Sequence, residues 1–118
     1  MLSHNQVGKG GENLAASFLM QNGYEVLHQN WRYSYYEIDI IAKKSNKLHF
    51  VEVKTRSSAI HGHPEQAVTK KKFKFLQKAA HEYLQQYPGN KWIQYDIVSI
   101  TLHKNKAPEF FLLEDVFL

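Results

Sequence analysis

Two short segments most narrow what this chain can fold into: Glu37-Ile38-Asp39-Ile40-Ile41-Ala42 and Phe50-Val51-Glu52-Val53-Lys54, with a polar turn between them. Both are rich in Ile, Val and Phe, the composition of buried strands. Residues two apart on a strand share a face, so Glu37 is expected to align with Asp39, and Glu52 with Lys54. With Ser45-Asn46 as a two-residue turn, Asp39 falls opposite Glu52 and Glu37 opposite Lys54. Directly opposed carboxylates repel and destabilise a sheet. A hard divalent cation such as magnesium, which takes carboxylate oxygens, reverses that sign. The hairpin therefore predicts a cation site with a lysine beside it.

The rest of the chain limits the setting. At 118 residues it has room for one core, and residues 1–118 are read as a single domain. Cysteine is absent, which excludes disulfides and zinc–thiolate sites. No run approaches the roughly 18 apolar residues that span a bilayer, and the first residues do not read as a secretory signal. A cytoplasmic protein with no membrane partner is the expectation. The formal charge is +4, yet Lys70, Lys71, Lys72, Lys74 and Lys78 crowd into nine residues, and without them the balance is about −1. A basic face concentrated in this way is the electrostatic footprint of a polyanion binder.

Local signals set out the elements. A first helix is expected over about residues 4–22, with Ser3 and Gln6 at capping-box spacing and Gly23 as its stop. A strand follows at 24–29, then the hairpin, then a loop over 56–63. Pro64 suits the first turn of a long helix ending near Tyr87, with Val68, Phe75, Leu76, Ala79, Ala80, Tyr83 and Leu84 as its apolar stripe. Lys72 falls near the centre of that stripe, where a lysine either snorkels or reaches an anionic site. A strand at 92–102 and a short edge strand at 110–113 complete the order αβββαβ(β). The long helix between strands three and four predicts a right-handed crossover, hence a parallel pair in a mixed sheet flanked by helices.

Asp39, then twelve residues, then Glu52-Val53-Lys54 resembles the PD-(D/E)XK nuclease signature. Over roughly residues 8–100 the chain is similar to the YraN-like family of small bacterial proteins. The matching pieces include Gly11-Glu12, Gly23-Tyr24, Asn30-Trp31-Arg32, the hairpin through Thr55-Arg56, Ala67-Val68 with Lys72, and Tyr95-Asp96-Ile97-Val98. Tyr36 stands where that family usually has glycine. The resemblance implies an α/β, restriction-endonuclease-like core close to that of Holliday-junction resolvases. It implies nucleic-acid binding, DNA more than RNA, and a metal-dependent endonuclease acting on branched or single-stranded DNA. A homodimer is left open.

Roles follow for individual residues. Asp39 and Glu52 would ligate Mg²⁺ or Mn²⁺, which acidifies a water for attack on a phosphodiester. The resemblance adds Glu12 as a third carboxylate. Lys54 would orient the water and counter charge in the transition state. Glu37 and Lys72 stand behind these groups, Glu37 on the same face and Lys72 within reach of a phosphate. Arg32, Arg56, Lys70, Lys71 and Lys74 would meet backbone phosphates, while Trp31, Tyr33, Tyr35 and Tyr36 offer rings for unpaired bases. Two other readings stay open: a non-catalytic nucleic-acid-binding module on the same fold, and an interaction subunit in DNA uptake or repair. Gly8-Lys9-Gly10-Gly11 lacks the ending of a phosphate-binding loop, and His61-Gly62-His63 reads as polar loop.

Overall fold

A computed structural model describes residues 4–57 and 68–118. Helix α1 (His4–Gln21) ends where expected: Gly23 takes φ 88°, a left-handed turn that favours glycine, and Tyr24 N–H returns to the Leu19 carbonyl at 3.0 Å. The Ser3–Gln6 cap lies outside what the structure describes. Strands β1 (Glu25–Tyr33), β2 (Tyr36–Lys44) and β3 (Lys47–Ser57) follow as an antiparallel meander. β1 runs past the expected 24–29, because Trp31, Arg32 and Tyr33 continue to pair with β2.

The central hairpin has the anticipated register from Lys44↔Lys47 to Ile40↔Val51. Ser45 and Asn46 take φ 52° and 64°, the consecutive left-handed pair that a two-residue hairpin turn requires. Helix α2 (Lys70–Gln86) then crosses to β4 (Ile93–Leu102), which lies parallel to β3, and β5 (Glu109–Leu113) closes the sheet as an antiparallel edge. The spatial order equals the chain order, β1-β2-β3-β4-β5. Among the described residues, no helix is long and apolar enough to cross a membrane.

α2 begins later than the Pro64 signal suggests. Thr69 is extended (φ −83°, ψ 164°) and its hydroxyl accepts from Lys72 N–H, so Thr69 is the N-cap; Pro64 itself lies outside the described residues. The buried stripe is also rotated. Phe73, Leu76, Ala79, Ala80 and Tyr83 face the sheet, while Phe75 is 45% exposed. Phe73 takes the inner position because Tyr95 on β4 meets it edge-on at 5.2 Å.

Each face of the sheet carries its own core. Ile38, Ile41, Leu48, Phe50 and Ile97 pack with α2; Ile40, Ala42, Val51, Val53, Val98 and Ile100 pack with Ala15, Ala16 and Leu19 of α1. Burying one such side chain contributes roughly 1.5–3 kcal/mol, so both helices are held by the sheet rather than by each other. On the α1 side Asp96 is fully buried, and it is satisfied: His49 Nδ1 lies 2.6 Å away, and the Gln94 amide and Asp115 N–H each donate at 2.9 Å. This network ties β3, β4 and the C-terminal segment together.

Candidate metal centre

The two central strands separate at Asp39. The β2–β3 ladder stops at Ile40↔Val51, and the next N–H on β3 that needs a partner, that of Val53, donates to Asp39 Oδ2 at 2.8 Å. A side chain thus replaces a backbone acceptor, and the strands open into a slot. Asp39–Glu52 and Glu37–Lys54 are therefore not ladder pairs, contrary to the simple register. The alternation along β2 also breaks here, since Ile38 packs with α2 but Ile40 with α1. β1 breaks with it: Asn30, at φ 53°, falls in the same gap of the β1–β2 register as Asp39.

Four carboxylates meet at this slot. Oxygens of Glu12, Glu37 and Asp39 lie within 4.8 Å of one another, and Glu52 is the charge acting most strongly on Asp39. The grouping differs from the expected Glu12, Asp39 and Glu52, because the broken alternation turns Glu37 toward α1. Glu37 also takes Arg32 at 3.6 Å across the β1–β2 pair. Burial, then the Glu52 charge, pushes the Asp39 carboxyl up to about 8 despite the Val53 hydrogen bond. Burial raises Glu52 as well, against the opposing pull of Lys54 and Lys72. The oxygen-only donor set and its crowded charge fit a hard divalent cation, which would relieve the repulsion.

Lys54 stands on the α2 side, its Nζ 4.0 Å from Glu52 Oε1. Burial lowers its pKa, and Lys72 beside it lowers it further. Lys72 therefore reaches the site from the first turn of α2 while remaining exposed, as a snorkelling side chain does. Lys70, Lys71 and Lys74 are exposed on the same helix, Arg32 is exposed beside Glu37, and Arg56 is half-buried at the end of β3. Among the aromatics, Trp31 packs on Tyr83 at 5.3 Å and belongs to the core; Tyr33 and Tyr35 stay exposed. His61 and His63 lie outside the described residues. The reading of the sequence missed the His49–Asp96 pair; an aspartate inside the apolar run Ile93–Leu102 was the available signal, because a buried carboxylate needs partners.

Glu12 owes its place to its neighbour. A Cβ at Gly11 would overlap the Thr55 hydroxyl, so α1 approaches β3 this closely only with glycine there. Gly11→Ala should destabilise the fold by about 1–3 kcal/mol and lift Glu12 from the slot. Urea denaturation and Mn²⁺ titration check this, and Thr55→Ala in the same chain should restore most of both. Unchanged Mn²⁺ affinity in the single mutant would detach Glu12 from the site.

These elements define a restriction-endonuclease-like α/β domain: a five-stranded mixed sheet with one helix on each face and carboxylates where its central strands part. The chain belongs to the family described as "Uncharacterised protein family UPF0102", whose model matches residues 11–100 and which is the YraN-like family its motifs resemble. It is 41% identical to a UPF0102 protein of Bacteroides thetaiotaomicron over 100 residues, covering 85% of this chain and 83% of the relative. It is 42% identical to one of Chloroherpeton thalassium over 118 residues, covering 93% and 92%. A third, from Flavobacterium psychrophilum, is 44% identical and covers 85% and 84%.

Proposed function

We propose that this protein is a Mg²⁺- or Mn²⁺-dependent endonuclease that hydrolyses phosphodiester bonds of branched or single-stranded DNA. One observation carries the reading: a half-buried Asp39 carboxyl, pushed up to about 8 by desolvation and by the Glu52 charge, in a slot that also gathers Glu12 and Glu37 and has Lys54 at its edge. Uncompensated charge of this kind costs stability, and a cation-dependent reaction is a reason to retain it.

Asp39, Glu12 and Glu37 would hold the ion, with Glu52 completing or supporting the set. When bound, the ion supplies a counter-charge to phosphate and acidifies water. The protein's own groups do the rest. Lys54, with its depressed pKa, is suited to take a proton from the attacking water and to stabilise charge developing on phosphate. Lys72 keeps Lys54 depressed and offers a donor to the neighbouring phosphate. Lys70, Lys71 and Lys74 position the backbone without reading sequence.

The test is a panel of duplex, single-stranded, flap and four-way-junction DNA with Mg²⁺ or Mn²⁺. Cleavage of a branched or single-stranded substrate that chelation abolishes is expected; no cleavage on the full panel favours the binding-module reading. Binding should also be salt-sensitive. Replacing Lys70, Lys71 and Lys74 together by glutamine should flatten the salt slope by about 2–3, since each lost phosphate contact removes roughly 0.7–0.9. Anisotropy titrations across salt measure it, and an unchanged slope would assign the cluster to solvation alone.

A further inference from the structure

Against α2 lies a cleft of about 340 Å³, lined by Tyr36 on one wall and by Lys74, Gln77, Lys78, His81 and Glu82 on the other. Those α2 positions are spaced by three, one, three and one, a single stripe of the helix distinct from its buried face. Aromatic surface borders it. Tyr35 is 87% exposed and meets Tyr36 edge-on at 5.5 Å; Phe75 is 45% exposed, 6.1 Å from Tyr36, with Lys78 Nζ 5.9 Å from its ring centroid.

The elements that line the cleft also carry residues of the slot. Tyr36 immediately precedes Glu37, and Lys72, which reaches Lys54, lies one turn or less before Lys74 and Phe75 on α2. From Lys72 to Glu82 the helix rises about 15 Å, the length of roughly four stacked nucleotides at 3.4 Å each. Lysines set among exposed rings match a strand whose phosphates and base faces are both open. A duplex hides its base faces, so only the charges would engage it. Glu82, at the end away from the slot, is repulsive to phosphate and marks where the track stops.

We infer that the Tyr36–α2 cleft is a single-strand track, seating about four unpaired nucleotides of a DNA tail that leads into the carboxylate slot. This rests on the nuclease reading only for what happens at the slot; the track itself binds without a metal. It makes a duplex bearing a single-stranded tail the substrate class, ahead of blunt duplex.

The experiment measures binding in EDTA by fluorescence anisotropy, using blunt duplex and the same duplex with thymidine tails of one to eight nucleotides. Divalent-dependent cleavage of the same molecules is followed separately. Wild type should bind tailed DNA about tenfold more tightly than blunt, with the gain complete near four nucleotides. Tyr35→Ala with Phe75→Ala should abolish that gain and leave blunt-duplex affinity within twofold; Phe75→Tyr should keep it. Both rings are exposed, and an unchanged melting temperature confirms that the variants are folded. Equal affinity for tailed and blunt DNA, or a gain that survives the double substitution, overturns the track. So does displacement of the tailed DNA by polyglutamate as readily as by oligothymidine, which would mark an acidic-polypeptide surface. Cleavage without a tail preference leaves the nuclease reading standing and removes the track; a tail preference without cleavage does the reverse.

Discussion

Asp39→Asn is expected to abolish cleavage and yet give a metal-free protein more stable than the wild type at pH 8.5. An acid whose pKa is raised on folding costs nothing below its unfolded value near 3.8, and it costs increasing stability as pH climbs through its folded value of about 8. Between those limits the unfolded chain binds fewer protons than the fold, so stability falls as pH rises. Asparagine removes the charge while its Oδ1 still accepts the Val53 N–H that holds the slot open. The gain should be about 1–3 kcal/mol after allowance for the remaining carboxylates, or roughly 4–12 °C in Tm. It should shrink as pH falls toward 4 and vanish below about pH 3, where Asp39 is protonated in both states. Thermal melts in EDTA at several pH values follow it. A mutant less stable than wild type at pH 8.5 would mean that Asp39 is a structural carboxylate rather than a strained one.

Lys54→Ala should act in the opposite way, keeping the ion and losing the rate. Its ammonium lies 4.0 Å from Glu52 and offsets carboxylate charge, so its removal should leave cation affinity equal or tighter. The rate constant for cleavage should fall by about 10²–10⁴, the range for a positioned proton acceptor and charge stabiliser. Lys54→Arg should recover little of this, because a guanidinium keeps the charge and cannot give up its proton. Single-turnover cleavage of a flap or junction measures the effect. Equal cleavage by wild type and Lys54→Ala would point to a contaminating nuclease.

Much of this arrangement was legible because it depends on local rules. The Ser45-Asn46 turn fixes the register of the central hairpin, and the alternating apolar residues choose its faces. The long α2 between β3 and β4 makes their pairing parallel. The slot was less legible. Period-two reading brought Glu37 and Asp39 together, as their carboxylates are, but it also paired Asp39 with Glu52 and Glu37 with Lys54, because it takes a ladder to continue where its residues are strand-forming. Asp39 instead accepts a backbone hydrogen bond, and Asn30 and Asp39 break the alternation of two strands at one level. That is a tertiary event, with no trace in either strand alone. The swap of Phe73 for Phe75 has a similar origin: both sit at the margins of a helical stripe, and Tyr95 decides between them. Trp31 looked free to stack on bases for the same reason, since Tyr83, the residue that covers it, lies on a different element.

The most direct test of the carboxylate slot is a calorimetric titration of metal-free protein with Mn²⁺ at pH 7.5, in two buffers of different ionisation enthalpy. If Asp39, Glu12 and Glu37 hold the ion, wild type binds one Mn²⁺ per chain. It releases roughly one proton as it does so, because the cation displaces the proton that burial places on Asp39. Asp39→Asn should bind far more weakly and release none. No Mn²⁺ uptake by wild type, or uptake that Asp39→Asn leaves unchanged with no proton released, would contradict a metal centre at this slot.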